Sequence, residues 1–440
     1  MIPSVSEAMI DKEYKKYKNL EEPTVKKVFK VLALVLALSM VVAFAACGGN
    51  NTTEETTVAG NEETTAAEVV EVKVGFIFLH DEQSTYDKNF MDAAKAACET
   101  MGVEYAQKTQ IPESNACYDA AVELIEVDGC NVIFADSFGH EAFLMQAAEQ
   151  YPDVEFCHAT GTQAHTSELK NFHNAFAAIY EGRFLAGVAA GMKLNEMIEA
   201  GEITAEEAKM GYVGAFTFAE VISGYTSFYL GAKSVCPTVT MDVKFTGSWY
   251  DEQLEKEAAQ ALINGGCVLI SQHADSMGAP TACETAGVPN VSYNGSTIAA
   301  CPNTFIVSSR INWAPYFEYM IECVQTGKAI DTDWTGTIAT GSVVLTDINE
   351  AAAAEGTAAK IEEVKAGFAD GTIKVFDTAT FTKGGEALTS YQADVDTDDK
   401  FTPDTEVIAD GYFHESEYRS APYFDIQIDG ITLLDTNYGG

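Results

Sequence analysis

From residue 72 onward, short continuous apolar runs alternate with segments of helical periodicity in this 440-residue chain. Val72–Leu79 is predicted to be a strand, and Asn89–Met101 an Ala-rich amphipathic helix. Further apolar runs follow at 103–108, 131–135 and 154–159, each separated from the next by one helix. Continuous apolar strands spaced in this way predict a parallel sheet covered by helices on both faces.

The pattern then repeats. A long helix is predicted at about 180–199, and a second series of strands and helices begins near residue 210. Two consecutive doubly wound units predict an α/β chain with two Rossmann-like lobes joined by a hinge. We place lobe 1 at residues 72–178 and lobe 2 at 179–300. Residues 301–440 are predicted to return to lobe 1 and to add a crossover helix and C-terminal strands.

A single apolar run of different character lies before the lobes. Val31–Cys47 is almost continuously apolar, ends in small residues, and follows Lys26, Lys27 and Lys30. This order predicts a secretory signal. At about 16 residues the run is shorter than the ~20 residues of a membrane-spanning helix. An uncleaved anchor helix is the alternative, and in both cases the chain after Cys47 is expected outside the cytoplasm.

The segments on either side of the signal are polar. Residues 1–46 are predicted to be a leader and signal peptide, and the polar stretch Met1–Thr24 suggests that translation begins at Val25. Residues 47–71 are rich in Thr, Glu, Ala and Asn and almost lack large apolar side chains. Such a segment buries too little surface to fold, so it is predicted to be a disordered tether.

Charge and cysteine content narrow the function. The chain has 66 acidic and 26 basic residues, a formal charge of −40. This balance argues against nucleic acid as a partner and against adhesion to anionic lipid through basic patches. Nine cysteines follow Cys47, none in a Cys-x-x-Cys pair, and most have apolar neighbours. Reduced core thiols are therefore favoured over disulfides, and neither a zinc site nor another cofactor is predicted.

Polar and aromatic residues follow most of the predicted strands. Ligands of open parallel sheets bind outside the carboxyl ends of the strands. Aromatic faces beside carboxylate and amide groups suit a small, flat, polar ligand, although Asp, Ser and Asn also cap helices. Metal binding is disfavoured because no His-x-His or His-x-x-x-His spacing occurs. The candidate ligand-binding residues are His80, Asp81, Tyr86, Asp136, Ser137, Thr160, His165, Phe216, Trp249, Gln272, His273, Asp275 and Asn294.

Four stretches of the chain resemble one known family, the basic-membrane-protein or PnrA-like substrate-binding lipoproteins of ABC transporters. They are Val74–Phe78 with the acidic loop and Phe90 after it, Tyr180–Gly187, Gly247–Asp251 and Gly371–Phe376. The resemblance implies a type I periplasmic-binding-protein fold with the ligand held at the hinge, and several family members bind purine nucleosides or nucleobases. The family's Asp-x-x-Phe-Asn motif is replaced by Ser84–Phe90, so no ribose-binding carboxylate is assigned.

Phe44-Ala45-Ala46-Cys47 is similar to the lipobox of bacterial lipoproteins, which implies that Cys47 carries a diacylglycerol thioether. We therefore expect a lipid-anchored receptor on the extracellular face of the cell membrane. It would deliver a purine-like ligand to the permease of an ABC transporter. Because the chain has no phosphate-binding Gly-x-x-x-x-Gly-Lys motif, ATP hydrolysis would belong to a separate ATPase subunit. The alternative is a lipoprotein sensor that presents a sugar or nucleoside to a signalling receptor. An enzyme is disfavoured because no Gly-x-Ser-x-Gly or comparable motif is present.

Overall fold

The computed structural model describes residues 70–395 and 402–436. The predicted signal sequence, Cys47, the predicted start at Val25 and nearly all of the predicted tether lie outside these residues. Within the described ranges, no helix is both long enough and apolar enough to cross a membrane.

The first half of the described chain forms a parallel sheet flanked by three helices. The strands are β1 (Lys73–Ile77), β2 (Glu104–Lys108), β3 (Val132–Ala135), β4 (Glu155–Ala159) and β5 (Phe172–Ala177). The helices are α1 (Thr85–Met101), α2 (Asn115–Glu126) and α3 (Glu141–Gln150). The Ser84 hydroxyl caps α1 by accepting a hydrogen bond from the Asp87 N–H, and the left-handed Gly102 (φ 67°) ends the helix.

A second sheet repeats the arrangement. The helices of this part are α4 (Ile179–Glu199), α5 (Ala219–Val235), α6 (Glu252–Asn264) and α7 (Gly278–Ala286). The strands are β6 (Lys209–Gly214), β7 (Thr240–Phe245), β8 (Leu269–His273), β9 (Asn290–Tyr293) and β10 (Phe305–Ile311). Helices α4 and α5 pack closely against each other over this sheet. Mixed α/β layers of this type confirm the predicted fold of two doubly wound lobes.

The chain then crosses between the lobes. Helix α8 (Ala314–Thr326) packs on α1, and strand β11 (Asp333–Gly336) joins the first sheet beside β5. Strand β12 (Val343–Leu345) pairs with β10 in the second sheet, and helix α9 (Thr357–Asp370) packs on α4. The lobes are thus joined at Ala178, at Asn312 and at 337–342, which are three adjacent crossings.

The C-terminal part departs from prediction. Residues 301–440 were assigned to lobe 1, but β10, β12 and β17 (Ile431–Leu433) belong to the second sheet, whose order is β12-β10-β9-β8-β6-β7-β17. Only α8 and β11 return to the first lobe, whose sheet order is β11-β5-β4-β3-β1-β2. Four two-residue strands also form two small ladders: β13 (Gln392–Ala393), β14 (Thr405–Glu406), β15 (Ile408–Ala409) and β16 (Tyr412–Phe413).

The segment Thr372–Phe376, within the stretch Gly371–Phe376 that carries the family resemblance, forms no strand. Its apolar side chains fill the second lobe instead, where the ring of Phe376 stacks on Phe424 with centroids 4.2 Å apart. Both rings are buried. Their burial explains the apolar pattern without a ladder of backbone hydrogen bonds.

The cysteines between residues 98 and 323 agree with the predicted thiols. All nine are buried and none is bonded to another. Burial raises the pKa of Cys98 to about 12 and that of Cys267 to about 12. These thiols stay protonated and act as small apolar side chains of the core.

Candidate ligand-binding cleft

A cavity lies between the carboxyl ends of the two parallel sheets, where open α/β sheets bind ligands. Its empty volume is about 370 Å³, of which the centre of a water molecule can occupy only about 20 Å³. The walls therefore lie close together. The first lobe contributes Leu79, His80, Tyr86, Ser137, Phe138 and Thr160, and the second lobe Glu220, Trp249, His273, Asp275 and Tyr293.

The two lobes touch around this cavity. The Thr85 N–H and hydroxyl, at the start of α1, both donate to the Asp275 carbonyl oxygen, at 3.0 and 3.2 Å. The Phe138 ring faces Phe218 with centroids 5.3 Å apart. These contacts join loops of opposite lobes, so the cleft is closed around its lining residues.

Buried hydrogen bonds fix the first-lobe wall. The carboxylate of Asp87 accepts from the His80 N–H at 2.7 Å, from the Ser84 hydroxyl at 2.6 Å, and faces His80 Nδ1 at 3.2 Å. Although burial opposes ionisation, the hydrogen bonds from His80 and Ser84 lower the pKa of Asp87. The Tyr86 hydroxyl donates to the Asp136 carbonyl oxygen at 2.7 Å. The His80 and Tyr86 rings are therefore held in place before any ligand arrives.

Two residues at the cleft have left-handed backbone geometry. Thr160 has φ 64° and lines the cavity, and Asn294 has φ 64° at the end of β9. A β-branched residue rarely adopts this conformation, and such strain concentrates at binding sites. The Thr160 hydroxyl donates to the Ala159 carbonyl oxygen at 2.5 Å, which fixes the side chain.

The second-lobe wall is acidic. Asp275 is 5% exposed, and burial, followed by the charges of Asp87 and Glu255, raises its pKa well above the usual range of a carboxyl. Glu220 lies in the first turn of α5, where the positive end of the helix dipole stabilises a carboxylate. No Lys or Arg of the described residues lines this cavity. The site therefore favours hydrogen-bond donors and disfavours anions.

Seven of the thirteen predicted ligand-binding residues line the cavity. They are His80, Tyr86, Ser137, Thr160, Trp249, His273 and Asp275. Two others support this wall: the Phe216 ring packs on Trp249 at 5.0 Å, and the Asn294 amide donates to Asp275 Oδ1 at 3.4 Å.

The four remaining predicted residues have structural partners and do not line the cavity. Asp136 is fully buried, and its Oδ1 accepts a hydrogen bond from the Leu79 N–H at 3.1 Å. It therefore stabilises the backbone of a lining residue. The Gln272 amide donates to the Ala274 and Ser276 carbonyl oxygens at 2.9 and 3.2 Å.

Asp81 and His165 lie further out. Asp81 closes its own loop by accepting from the Gln83 N–H and the Gln110 amide at 3.0 and 2.8 Å. His165 Nε2 lies 3.2 Å from Asp333 Oδ2 at the edge of the first sheet. These four residues therefore make contacts within the protein and do not line the cavity.

Four lining residues lay outside the prediction: Leu79, Phe138, Glu220 and Tyr293. Leu79 ends the predicted strand Val72–Leu79, and a strand one residue shorter places it in the loop at the cleft. Tyr293 ends β9, and Glu220 lies in the first turn of α5, where an acidic residue has a sufficient local explanation. Phe138 lies in the loop after β3, directly after two residues that were predicted.

Within the described residues, no three or more His, Cys, Asp or Glu side chains lie together in a cluster that could hold a metal ion. The carboxylates at the cleft are instead engaged by hydrogen-bond donors of the protein. The arrangement can bind a small uncharged or cationic molecule. The aromatic rings would pack on its faces, and the carboxyl oxygens would accept hydrogen bonds from its N–H or O–H groups.

Comparison with known proteins agrees with the fold. The model of the PnrA-like ABC transporter substrate-binding family matches residues 75–368. This chain belongs to the PnrA-like family of ABC transporter substrate-binding proteins. The family consists of substrate-binding proteins of ABC transporters.

A purine-binding protein of Brucella abortus is 31% identical over 326 residues, which cover 72% of this chain and 88% of the relative. A protein of Haloferax volcanii named as an ABC transporter glucose-binding protein is 34% identical over 207 residues. That match spans 47% of this substrate-binding protein and about half (49%) of the relative's length.

A solved ABC transporter solute-binding protein of Aeropyrum pernix superposes with a TM-score of 0.59 at 18% identity. The superposition covers 69% of this chain and 93% of that one. At this identity the likeness supports the fold alone, which is that of the type I periplasmic binding proteins.

Proposed function

We propose that this substrate-binding protein captures a purine base or its nucleoside and delivers it to an ABC permease. The observation that carries the proposal is the composition of the cavity wall. Aromatic rings of Tyr86, Phe138 and Trp249 face the cavity beside the carboxyl groups of Glu220 and Asp275. Rings can stack on a flat heterocycle while carboxyl oxygens accept its N–H groups.

The dimensions and charge of the cavity refine the ligand. The walls of the closed cleft lie close together, which suits a flat ring, and the lobes would have to open to admit either a base or a nucleoside. Because no described Lys or Arg lines the cavity, a nucleotide phosphate would be buried without a counter-charge. The purine-binding relative from Brucella supports the same ligand class, whereas the Haloferax relative makes glucose the competing candidate.

A thermal-shift screen tests the proposal, with adenine, guanine, hypoxanthine, their nucleosides, AMP and glucose as probes. A cleft ligand at 100 times its Kd stabilises the folded state by about 2.7 kcal/mol, so a base should raise Tm by several degrees. AMP and glucose should leave Tm unchanged. Stabilisation by glucose alone would reject the purine assignment, and no shift from any purine would remove its support.

A variant pair locates the binding in the cleft. Glu220→Gln should reduce the affinity for the bound purine at least tenfold, because a charged acceptor contributes about 1.5–3 kcal/mol to a hydrogen bond. Glu252→Gln is the matched control, since Glu252 begins the neighbouring helix α6 and is exposed. Equal affinities in both variants would exclude the cavity as the binding site.

We also propose that Cys47 carries the lipid anchor and that the receptor acts on the extracellular face of the cell membrane. Cys47→Ala should release the protein from the membrane fraction and abolish labelling by radioactive palmitate, whereas Asn51→Ala in the neighbouring sequence should do neither. Labelling of the Cys47→Ala protein would contradict the assignment.

Uptake of radioactive purine by cells separates transport from sensing, since binding without uptake would favour a signalling receptor.

A further inference from the structure

Arg183, in the stretch of α4 that carries the family resemblance, is fully buried in the second lobe. Its guanidinium donates to the Ser271 hydroxyl at 2.8 Å, the Tyr212 hydroxyl at 3.1 Å and the Ser309 hydroxyl at 3.2 Å. None of the described carboxylates forms an ion pair with it. A buried cation without a carboxylate partner is costly, and its retention needs a reason beyond packing.

A chain of three contacts leads from Arg183 to the cavity. The Tyr212 hydroxyl, which receives the Arg183 hydrogen bond, lies 3.4 Å from His273 Nδ1. On the other edge of the imidazole, His273 Nε2 lies 3.3 Å from Glu220 Oε1. His273 and Glu220 both line the cavity. The chain therefore connects a fixed positive charge with a carboxylate of the ligand site.

The direction of each proton in this chain follows from donor chemistry. A guanidinium has only donors, so the Tyr212 oxygen accepts from Arg183. The Tyr212 proton is then free to be donated to His273 Nδ1. A neutral imidazole that accepts at Nδ1 carries its proton on Nε2, which faces Glu220. His273 consequently donates to the Glu220 carboxylate.

We propose that Arg183 and Tyr212 are positioning residues that fix the Nε2-protonated tautomer of His273 and thereby orient the Glu220 carboxyl group as an acceptor towards the ligand. Neither residue lines the cavity. They act through His273. Replacement of either residue should therefore change ligand recognition although every side chain that contacts the ligand is still present.

The packing around His273 supports this arrangement. A Cβ atom on Gly224 of α5 would lie 2.5 Å from His273 Nδ1, so glycine lets the helix approach the imidazole closely. The Tyr293 ring packs on the other side, with centroids 4.5 Å apart. The Arg183 guanidinium lies 5.1 Å from the same Tyr293 ring.

The groups that face His273 are therefore Tyr212 from β6, Glu220 from α5, Tyr293 from β9 and Arg183 from α4. Burial lowers the pKa of His273 below its usual value, which keeps the ring neutral. Glu220 opposes this shift and Arg183 favours it. A neutral ring is the state that the hydrogen-bond directions require.

Nitrogen NMR of the full chain labelled with ¹⁵N-histidine tests the tautomer without any ligand. Only seven histidines occur in the chain, and a His273→Gln spectrum assigns the signal. The proposal predicts a proton on Nε2 of His273 and none on Nδ1. A proton on Nδ1 in the wild-type protein would overturn it, whatever the variants do.

Tyr212→Phe then breaks the chain at one atom. Arg183 keeps its other acceptors, so we expect the variant to fold, with His273 shifting towards the Nδ1-protonated tautomer. Tyr225→Phe is the matched control, because Tyr225 is buried with its ring 5.9 Å from Tyr212 but donates to Gln427 Oε1 at 3.0 Å. An unchanged His273 signal in a folded Tyr212→Phe protein would refute the relay.

The effect on binding rests on the proposed function and is measured separately with hypoxanthine. Loss of one buried hydrogen bond predicts about five- to tenfold weaker binding in Tyr212→Phe and none in Tyr225→Phe. In a Glu220→Gln background the Tyr212→Phe loss should disappear, because both variants act on one acceptor. Losses that add independently would contradict the relay. Absence of hypoxanthine binding in the wild type would reject the proposed ligand and leave the tautomer result standing.

Discussion

Glu415 has a buried carboxyl group in the C-terminal part of the second lobe. It is 6% exposed, and its Oε1 accepts a hydrogen bond from the Tyr423 N–H at 3.1 Å. Burial raises the pKa of Glu415 to about 8. In the unfolded chain the same carboxyl titrates near pH 4.3. The folded protein therefore binds a proton that the unfolded chain releases across this interval.

The resulting stability profile falls with rising pH. A raised folded-state pKa gives stability that is complete below about pH 4.3 and is lost as the pH rises through about 8. Glu415→Gln should match the wild type at pH 4 and exceed its unfolding free energy at pH 8 by on the order of 4 kcal/mol. Exposed Glu350→Gln serves as the control. Urea unfolding at both pH values decides, and parallel curves would disprove the burial effect.

At the residue level, the sequence could indicate positions at strand ends but not the direction of each side chain. Ser137 and Asp136 are neighbours after β3, yet Ser137 lines the cavity and Asp136 points into the protein. Tyr293 ends β9 and faces the cavity, which depended on a strand register that periodicity leaves uncertain by one residue. Side-chain direction depends on the packed lobe, and local pattern carries little of that information.

At the element level, the edge strand β17 depends on one glycine. Gly430 has φ 94°, and a Cβ atom there would lie 2.0 Å from the Tyr229 hydroxyl oxygen. Its carbonyl oxygen accepts from the Met241 N–H at 3.0 Å and starts the pairing of β17 with β7. The residue must therefore be both left-handed and without a side chain.

Gly430→Ala should lower the unfolding free energy by about 2–4 kcal/mol, since strain and overpacking both contribute. Gly385→Ala has the strain alone, because Gly385 has φ 83° with no atom near its Cβ position, and should cost about 1 kcal/mol. Chemical denaturation measures both. Tyr229→Phe in the Gly430→Ala protein should recover part of the loss, and equal costs at the two glycines would rule out the close contact.

The elements of the two doubly wound units were predictable because strand and helix alternate with a clear period. The C-terminal part was not, since its order in the chain does not indicate its sheet. Strands β11 and β12 are neighbours in the chain but join opposite sheets. Helix α9 begins only at Thr357, after the left-handed Gly356 (φ 82°). Such choices depend on long-range pairing that follows from the assembled lobes.

For the molecule as a whole, the position of the cleft between two lobes makes ligand binding and closure one event. We expect the lobes to move about a hinge at the crossings Ala178, Asn312 and 337–342, and the contacts Thr85–Asp275 and Phe138–Phe218 to form as they approach. A ligand that touches both walls stabilises the closed form by its differential affinity. Closure is then the state that a permease can recognise.

Tryptophan emission can report this closure, because the three tryptophans occupy different places. Trp249 lines the cavity, Trp313 is buried near a crossing, and Trp334 packs on Tyr316 in the first lobe at 5.0 Å. A bound heterocycle should quench or shift Trp249 emission by stacking and exclusion of water. Trp249→Phe should remove most of the ligand-dependent change, whereas Trp334→Phe should retain it. The Trp249 carbonyl oxygen also accepts from the Asp275 N–H at 2.9 Å, and phenylalanine preserves this backbone contact. We therefore expect the cleft of the Trp249→Phe protein still to close. A full signal in Trp249→Phe would place the ligand or the moving surface elsewhere.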